Sequence, residues 1–335
     1  MTPDPILRLE NLKKHFPIKG GILDVLAKKP QRRVIAVDGV SLDIAKGESL
    51  GLVGESGCGK STLAKTLVGI YPPDEGRILL EGRDIAHTPR KERRKEARNI
   101  QVIFQDPYSS LNPRMTVRDT LMEALRFHGM RVAGDLDARV RELLALVGLN
   151  DYQAQRFPGE FSGGQRQRIG IARVLALEPK IIIADEPVSA LDVSIQAQVI
   201  NLLVSLRRNL GLTMVFISHD LRVVKYVSTR IAVMYLGKIV ELSDTESLFH
   251  HPAHPYTDTL LRAAPGISAV KKYEKELITG ELPSPIDLPS GCRFHPRCPK
   301  ASALCAAQEP PLTEFAPGRY CACHLTQNMQ DTSRA

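Results

Sequence analysis

One stretch, residues 54–61, constrains the fold of this sequence more than any other. It reads Gly-Glu-Ser-Gly-Cys-Gly-Lys-Ser, follows an apolar run at residues 50–53 and leads into helical spacing at residues 62–67. A strand, a glycine-rich loop and a helix are therefore predicted in that order. The glycines keep side chains away, so backbone N–H groups and the helix N-terminus can face phosphates. We expect Lys60 to reach the β- and γ-phosphates of a nucleotide and Ser61 to bind Mg²⁺; the alternative is a glycine-rich turn before an ordinary helix.

Length and composition narrow the class of protein. A chain of 335 residues exceeds the size at which one core stops growing, so we expect one large domain with an appendage, or two domains. Its 43% apolar and 24% charged residues are typical of a globular protein, and no run of about 18 apolar residues occurs. The N-terminus lacks the features of a signal peptide, so we expect a cytoplasmic protein. The net charge of +8 fits nucleic acid, an anionic membrane surface or a polyanion such as ATP.

Three later strands are predicted to end in polar residues. They lie at residues 100–104, 180–184 and 213–217. Ligands bind at the carboxyl ends of the strands in an α/β sheet, so these residues are candidates for the site. Gln105 can contact Mg²⁺ or the attacking water, and Asp185 can face the metal. Glu186 can face the water, and His219 can point at the γ-phosphate. The alternatives are a solvated glutamine, carboxylates that cap a helix, and a structural histidine.

Two further features bear on a nucleotide. Residues 162–165, Ser-Gly-Gly-Gln, begin an amphipathic helix after a helical segment at residues 116–149, and they form a second anion-binding geometry in the same chain. Phe16 follows the strand predicted at residues 6–12. It can stack on an adenine ring, or it can be an ordinary core aromatic.

Taken together, residues 6–250 resemble the ATP-binding subunits of ABC transporters. The motifs occur in the family's order: the phosphate loop at residues 54–61, Gln105 in the Q-loop, the signature at residues 162–165, Asp185 and Glu186 in the Walker B segment, the D-loop at residues 189–192 and the switch histidine His219. The resemblance implies an α/β fold of the ABC-type P-loop NTPase class, with a RecA-like core, an antiparallel β subdomain and a helical insert at about residues 106–172. It also implies an ATPase that uses Mg²⁺.

The resemblance assigns roles to individual residues. The nucleotide contacts within one subunit are Phe16, Gly54, Glu55, Ser56, Gly57, Cys58, Gly59, Lys60, Ser61, Thr62, Gln105 and Asp185. Family members pair head to tail, and the residues that cover the partner's ATP are Ser162, Gly163, Gly164 and Gln165. The Mg²⁺ ligands are Ser61, Gln105 and Asp185. The catalytic residues are Glu186, His219, Gln105 and Lys60, of which Glu186 polarises the attacking water.

The remainder of the chain resembles a narrower group. Residues 251–257, 280–285 and 291–299 look like the C-terminal extension of dipeptide and oligopeptide importers of the DppF/OppF type. We therefore expect an ATPase domain at residues 1–250 and a small cysteine- and proline-rich extension at residues 251–335. The resemblance implies ATP-driven uptake of di- or oligopeptides at the cytoplasmic face of the inner membrane. The implied partners are a sister ATPase of the DppD or OppD type, two transmembrane permease subunits and an extracytoplasmic peptide-binding protein, with no nucleic acid. The alternative is an ABC ATPase that acts on nucleic acid or ribosomes.

Five of the six cysteines crowd into residues 292–323. Such a cluster in a cytosolic chain suggests a metal or reduced thiols rather than disulfides. The candidate ligands are Cys292, Cys298, Cys305 and Cys323. They could hold an iron–sulfur cluster, bind Zn²⁺ with help from His295 or His324, or stay reduced and buried. Some related transporter ATPases carry a [4Fe-4S] cluster in this extension, and that resemblance favours the cluster, with Cys321 as the alternative fourth ligand.

Overall fold

The computed structural model describes residues 4–18, 32–89, 92, 96–106, 111–127, 135–264 and 283–326. In this part of the chain the strands are β1 (Leu7–Pro17), β2 (Arg33–Ile44), β3 (Ser49–Val53), β4 (Glu75–Leu80), β5 (Arg83–Asp84), β6 (Ile100–Ile103), β7 (Ile181–Asp185), β8 (Thr213–Ile217), β9 (Arg230–Tyr235), β10 (Lys238–Asp244), β11 (Thr313–Ala316) and β12 (Arg319–Cys321). The helices are α1 (Lys60–Leu67), α2 (Val117–Phe127), α3 (Leu136–Leu146), α4 (Gly163–Leu175), α5 (Val193–Leu210), α6 (Leu221–Val227), α7 (Thr245–His250), α8 (Pro255–Ala263) and α9 (Ala303–Ala307). Short 3-10 turns lie at Asp151–Gln155, Pro158–Glu160 and His295–Arg297.

A mixed sheet forms the main layer, and its described strands follow the order β11-β12-β10-β9-β3-β8-β7-β6. Strands β9, β3, β8, β7 and β6 run parallel to one another. Every residue of β3, β7 and β8 is buried, as expected for apolar parallel strands that are covered on both faces. Because these three strands are neighbours, the residues that follow Val53, Asp185 and Ile217 meet at one edge of the sheet. The predicted α/β fold is confirmed.

A second, antiparallel sheet of order β2-β1-β4-β5 shares a core with β3 and α1. Strand β2 runs unbroken from Arg33 to Ile44. Gly39 lies inside β2 with a φ of +70°. Glycine adopts this left-handed angle without strain, so the strand continues through Gly39 instead of ending in a turn. Strands β4 and β5 form a hairpin.

The helical segment predicted at residues 116–149 forms two helices, α2 and α3, which pack on α4 in one apolar core. The Asp135 side chain caps α3 by accepting a hydrogen bond of 2.9 Å from the Asp137 N–H. After α3 the chain turns at Gly148, which has a φ of +71°. Residues 107–110 and 128–134 of the predicted insert, and residues 280–282 of the extension motif, lie outside the described residues.

The C-terminal extension continues the main sheet. Strands β9 and β10 form a hairpin, and β12 pairs with the outer edge of β10, with Cys321 opposite Glu241. Glu241 is fully buried, and its carboxylate accepts hydrogen bonds from the N–H groups of Ala253 at 2.8 Å and His254 at 2.9 Å. Burial raises the pKa of Glu241. These contacts fix the start of the extension against β10.

Candidate nucleotide-binding site

The phosphate loop is packed so tightly that two of its positions accept only glycine. The loop leaves β3 at Gly54, which has a φ of +153°, and enters α1 after Gly59, which has a φ of +111°. A Cβ at Gly54 would lie 2.2 Å from the carbonyl oxygen of Met234, and one at Gly59 would lie 2.0 Å from that of Ala36. Both distances are far inside contact range, so the neighbouring strands impose the glycine spacing. Ser56 and Gly57 are exposed at the crown of the loop.

Lys60 lies under the crown of the loop. Its side chain is buried, and Nζ donates to the carbonyl oxygens of Gly54 at 2.8 Å and Glu55 at 2.9 Å. No side chain caps the N-terminus of α1, so the N–H groups of its first turn face the loop without a protein acceptor from that cap. The Lys60 ammonium group and the N-terminus of α1 therefore both lie at the phosphate loop, an arrangement that favours an anion.

Asp185 and Ser61 meet across the sheet edge. The Ser61 hydroxyl donates to Asp185 Oδ1 at 3.0 Å, and Asp185 is only 7% exposed. Burial raises the pKa of Asp185, and the Ser61 hydrogen bond opposes this effect. A hydroxyl beside a buried carboxylate is a donor set that suits Mg²⁺. In the described part of the chain no hydrogen bond joins Gln105 to this pair, and Gln105 lies exposed at the end of β6.

Glu186 and His219 form the second polar pair at this edge. His219 Nδ1 lies 3.4 Å from Glu186 Oε2. Glu186 has a φ of +49°, and its N–H donates to the carbonyl oxygen of Ile217 at 2.9 Å. A left-handed glutamate is uncommon and strained, and such positions concentrate at functional sites. The side chain of His219 is 65% exposed, so the imidazole can reach a ligand from solvent.

Phe16 is connected to the phosphate loop by strand β2 of the antiparallel sheet. It pairs with Val34 on β2, two residues before Ala36, whose carbonyl oxygen closes on Gly59. Its ring packs edge-to-face on Tyr71 with centroids 5.1 Å apart and is partly exposed. Lys14 Nζ lies 5.5 Å from the centroid of the same ring.

The signature segment stands at the N-terminus of α4. The Ser162 hydroxyl accepts from the Gln165 N–H at 3.3 Å, and Gln165 Oε1 accepts from the Ser162 N–H at 3.0 Å, forming a capping box. A Cβ at Gly164 would lie 2.3 Å from Cγ2 of Ile195, and one at Gly163 would lie 3.2 Å from Leu191. The small residues therefore let α4 approach α5 closely. Ser162 itself is exposed, and the described structure records no hydrogen bond from it to the phosphate loop of its own chain.

Sequence reasoning missed a set of contacts between the extension and the phosphate loop. Arg297 donates to both carboxylate oxygens of Glu55, at 2.9 and 3.1 Å. The Glu55 N–H donates to the hydroxyl of Tyr256 at 2.8 Å, so this N–H points at the extension. Glu55 and Arg297 are 242 positions apart, and no local pattern in the sequence connects them.

Four cysteines of the extension line one small cavity. They are Cys292, Cys298, Cys305 and Cys323. Burial raises the pKa of Cys292 to about 11 and also raises that of Cys323. Cys321 is fully buried at the end of β12 beside Glu241, and it is not among the cavity's lining residues. Among the described residues, no three histidine, cysteine or acidic side chains are close enough to hold a single metal ion.

Comparisons with known proteins match both parts of the chain. The ABC transporter family model matches residues 37–189, and the model described as "Oligopeptide/dipeptide transporter, C-terminal region" matches residues 240–305. The oligopeptide transport ATP-binding protein AppF of Bacillus subtilis is 52% identical, over 96% of this chain and 98% of its own. The putative oligopeptide transport ATP-binding protein YkfD of the same organism is 49% identical, over 97% of each chain.

Solved structures agree with the fold. A dimeric post-hydrolysis state of the ATP-binding cassette MJ0796, bound to ADP and Pi, superposes with a TM-score of 0.61 at 29% identity, covering 71% of this chain and 98% of that one. CbiO1 from Clostridium perfringens, part of the transporter complex cbiONQ, has a TM-score of 0.62 at 29% identity, covering 74% and 92%. No helix in the described residues has both the length and the hydropathy needed to cross a bilayer. The chain belongs to the ATP-binding proteins of ABC transporters, in the branch that carries the oligopeptide/dipeptide transporter C-terminal region.

Proposed function

We propose that this chain is the ATP-binding and ATP-hydrolysing subunit of an importer that moves di- or oligopeptides across the cell membrane. The observation that carries the chemistry is the convergence at one sheet edge of Lys60, the Ser61–Asp185 pair and the Glu186–His219 pair. The cargo class is supported by the names of the relatives, which are oligopeptide transport proteins that match almost the whole chain.

The residues divide the work of hydrolysis as follows. Lys60 now donates to two loop carbonyls; when ATP binds, it exchanges them for oxygens of the β- and γ-phosphates, where its charge opposes the developing negative charge. Glu186 accepts a proton from the attacking water, and His219, adjacent to it, donates toward the γ-phosphate. Bound Mg²⁺ would neutralise charge on the phosphate oxygens and would be held by Ser61, Asp185 and Gln105.

A second ATPase subunit completes each site. Ser162 is exposed at the N-terminus of a 13-residue helix, a position that favours an anion. Val193, just after the D-loop, is 82% exposed, which is unusual for an apolar residue of this size. These features support a head-to-tail pair in which Ser162, Gly163, Gly164 and Gln165 cover the ATP of a sister ATPase.

The membrane partner binds the helical insert. Among the described residues of this region, three aromatic side chains are exposed: Phe127, Tyr152 and Phe157. Exposed aromatics are favoured anchors at protein interfaces. We assign this surface to two permease subunits, which hold the chain at the cytoplasmic face of the inner membrane and receive peptide from an extracytoplasmic binding protein. This chain then has no contact with the peptide and none with nucleic acid.

The cysteine cavity binds a [4Fe-4S] cluster. Four thiols around one cavity, without disulfides among the described cysteines, are the donor set that Cys₄ ligation of such a cluster requires. Zn²⁺, with His295 or His324 as a helper, is the competing occupant. Iron, sulfide and zinc analysis of anaerobically purified protein separates the two. Protein that contains zinc and no iron would refute the cluster.

The function is tested in the assembled transporter, co-expressed with its permeases and sister ATPase. The Glu186→Gln variant is expected to bind ATP, to accumulate the closed pair and to lose both hydrolysis and peptide uptake. Unchanged ATP turnover in this variant would remove Glu186 from the mechanism. Salt-sensitive retention on DNA or RNA, without recovery in a membrane complex, would instead support an ABC ATPase that acts on nucleic acid.

A further inference from the structure

The C-terminal extension is seated directly on the phosphate loop. Glu55, the second residue of that loop, is held at both its polar ends by the extension. Its carboxylate receives two hydrogen bonds from Arg297, and its N–H donates to Tyr256. A paired fork of this kind fixes the geometry as well as the charge of its acceptor.

The contact is buried rather than a surface salt bridge. The Arg297 side chain is 6% exposed and that of Glu55 is 20% exposed. The guanidinium lies 6.0 Å from the centroid of the Tyr235 ring. Tyr235, Tyr256 and Phe294 pack against one another with centroids 4.6 to 5.3 Å apart. Arg297 and the Tyr256 hydroxyl are therefore held on a rigid aromatic base.

A second arginine of the same turn makes a parallel connection. Arg293 is buried, pairs with Asp38 and donates to the carbonyl oxygen of Leu236. The next residue, Gly237, donates its N–H to the carbonyl oxygen of Cys58 in the phosphate loop at 2.8 Å. The extension thus reaches the loop at its second residue directly and at its fifth residue through β9 and β10.

The ion pair between Glu55 and Arg297 bears on how the phosphate loop binds its ligand. Glu55 carries a negative charge in a loop whose ligand is a polyanion, and a like charge beside the phosphates weakens their binding. Arg297 neutralises that charge. Without Arg297 the carboxylate would be left unpaired in the loop that binds the phosphates, and the loop would also lose the two hydrogen bonds that hold Glu55.

We propose that the extension is part of the nucleotide site, with Arg297 and Tyr256 as positioning residues that neutralise and orient the phosphate loop through Glu55. The inference rests on the proposed function in one respect only, that the ligand of this loop is ATP. The turn that bears Arg293 and Arg297 also bears Cys292 and Cys298, whose thiols line the cysteine cavity. The extension therefore controls the affinity for ATP while the chemistry stays with Glu186.

The test measures ATP affinity of the full chain and the KM and kcat of the assembled transporter. Arg297→Ala is expected to weaken ATP binding about tenfold, the scale of one partly screened charge interaction, and to raise KM for ATP while kcat falls less than twofold. Arg297→Lys keeps the positive charge but cannot make the paired hydrogen bonds to Glu55, and its affinity for ATP is expected to lie between those of the wild type and Arg297→Ala. Arg8→Ala is the matched control, because Arg8 makes a two-hydrogen-bond pair with Asp43 on the antiparallel sheet, away from the loop.

A second substitution separates charge from mere structure. In the Arg297→Ala background, Glu55→Gln removes the unpaired charge and is expected to recover most of the lost affinity. Wild-type affinity in Arg297→Ala, or no recovery in the double variant, would overturn the inference. If Arg297→Ala does not fold, the comparison of Arg297→Lys with Glu55→Gln/Arg297→Gln decides in the same way. Wild-type chain that fails to bind ATP would refute the proposed function instead, and normal ATP binding without peptide uptake would refute only the cargo.

Discussion

A methyl group added at Gly164 tests what the signature glycines do. The Gly164→Ala Cβ would lie 2.3 Å from Cγ2 of Ile195 and would meet no other atom closer than 3.7 Å, which is also on Ile195. The new methyl group therefore points into the contact between α4 and α5 of its own chain. It does not point toward the exposed side of Ser162, where a partner's ATP would lie. We expect the added methyl group to reduce activity by displacing α4, and with it the segment at residues 162–165 that is proposed to cover the partner's ATP.

The size of the effect follows from two opposing contributions. Overpacking one methyl group against a branched side chain costs about 1–3 kcal/mol, and the gain in helix propensity from glycine to alanine returns up to about 1 kcal/mol. Gly164→Ala should thus lower the free energy of unfolding by about 1–2 kcal/mol. Ile195→Ala removes the opposing Cγ2 and, because Ile195 is half-buried, should cost about 1–2 kcal/mol by itself.

The double variant Gly164→Ala/Ile195→Ala gives the decisive comparison. Urea unfolding should give it the same free energy of unfolding as Ile195→Ala alone, which corresponds to a coupling of about 1–2 kcal/mol, and ATPase activity of the assembled transporter should recover with it. Additive losses of stability would show that the methyl group does not meet Ile195. Recovered stability with activity still absent would show that the methyl group itself obstructs the partner's nucleotide, and would refute the reasoning that it acts through Ile195.

Three further substitutions test other parts of the site. Cys323→Ser protein, purified anaerobically, should contain less iron than the wild type, whereas Cys321→Ser protein should retain its iron. The reason is that the Cys323 thiol lines the cavity, whereas Cys321 is buried at the end of β12 opposite Glu241. Equal loss of iron in both variants would contradict this assignment. Phe16→Leu should lower the affinity for ATP about fivefold, the scale of one aromatic stacking contact, and leave the affinity for inorganic triphosphate unchanged. An equal loss of affinity for both ligands would show that Phe16 is a core aromatic. Gly59→Ala should lower the free energy of unfolding by about 3 kcal/mol and abolish ATP binding, because its Cβ would lie 2.0 Å from a main-chain carbonyl oxygen; a stable variant that binds ATP would count against the loop geometry.

Local signals in the sequence were enough to predict the edge of the sheet where the site lies. Buried parallel strands appear as uninterrupted apolar runs, and each of the three runs ends where the chain changes to polar residues. Asp185, Glu186 and His219 were therefore predicted to lie at the ends of strands, and the structure places His219 Nδ1 3.4 Å from Glu186 Oε2. Gln105 had the same signal, yet it lies exposed, because a position at the end of a strand fixes where a loop starts and not where its side chain goes.

Contacts between distant segments could not be predicted in this way. β12 is three residues long, too short to show an alternating pattern, so nothing in its sequence indicates that it covers the edge of β10. The same strand places the two candidates for the fourth cluster ligand, Cys321 and Cys323, in different surroundings. Cys321 is its last residue and is buried against Glu241, whereas Cys323 comes after the strand has ended and can turn into the cavity.

The boundary predicted at residue 250 separates two sequence patterns, but the physical connections cross it in both directions. Glu241 lies before the boundary, fully buried, and its two backbone donors, Ala253 and His254, come after it. Ending the chain at the boundary would remove both donors and also β12, which pairs with β10 at Glu241. Glu55 would at the same time lose Arg297. The acidic residue of the phosphate loop thus has its paired cation in the extension, so the two sequence patterns are joined by direct contacts on both sides of the boundary.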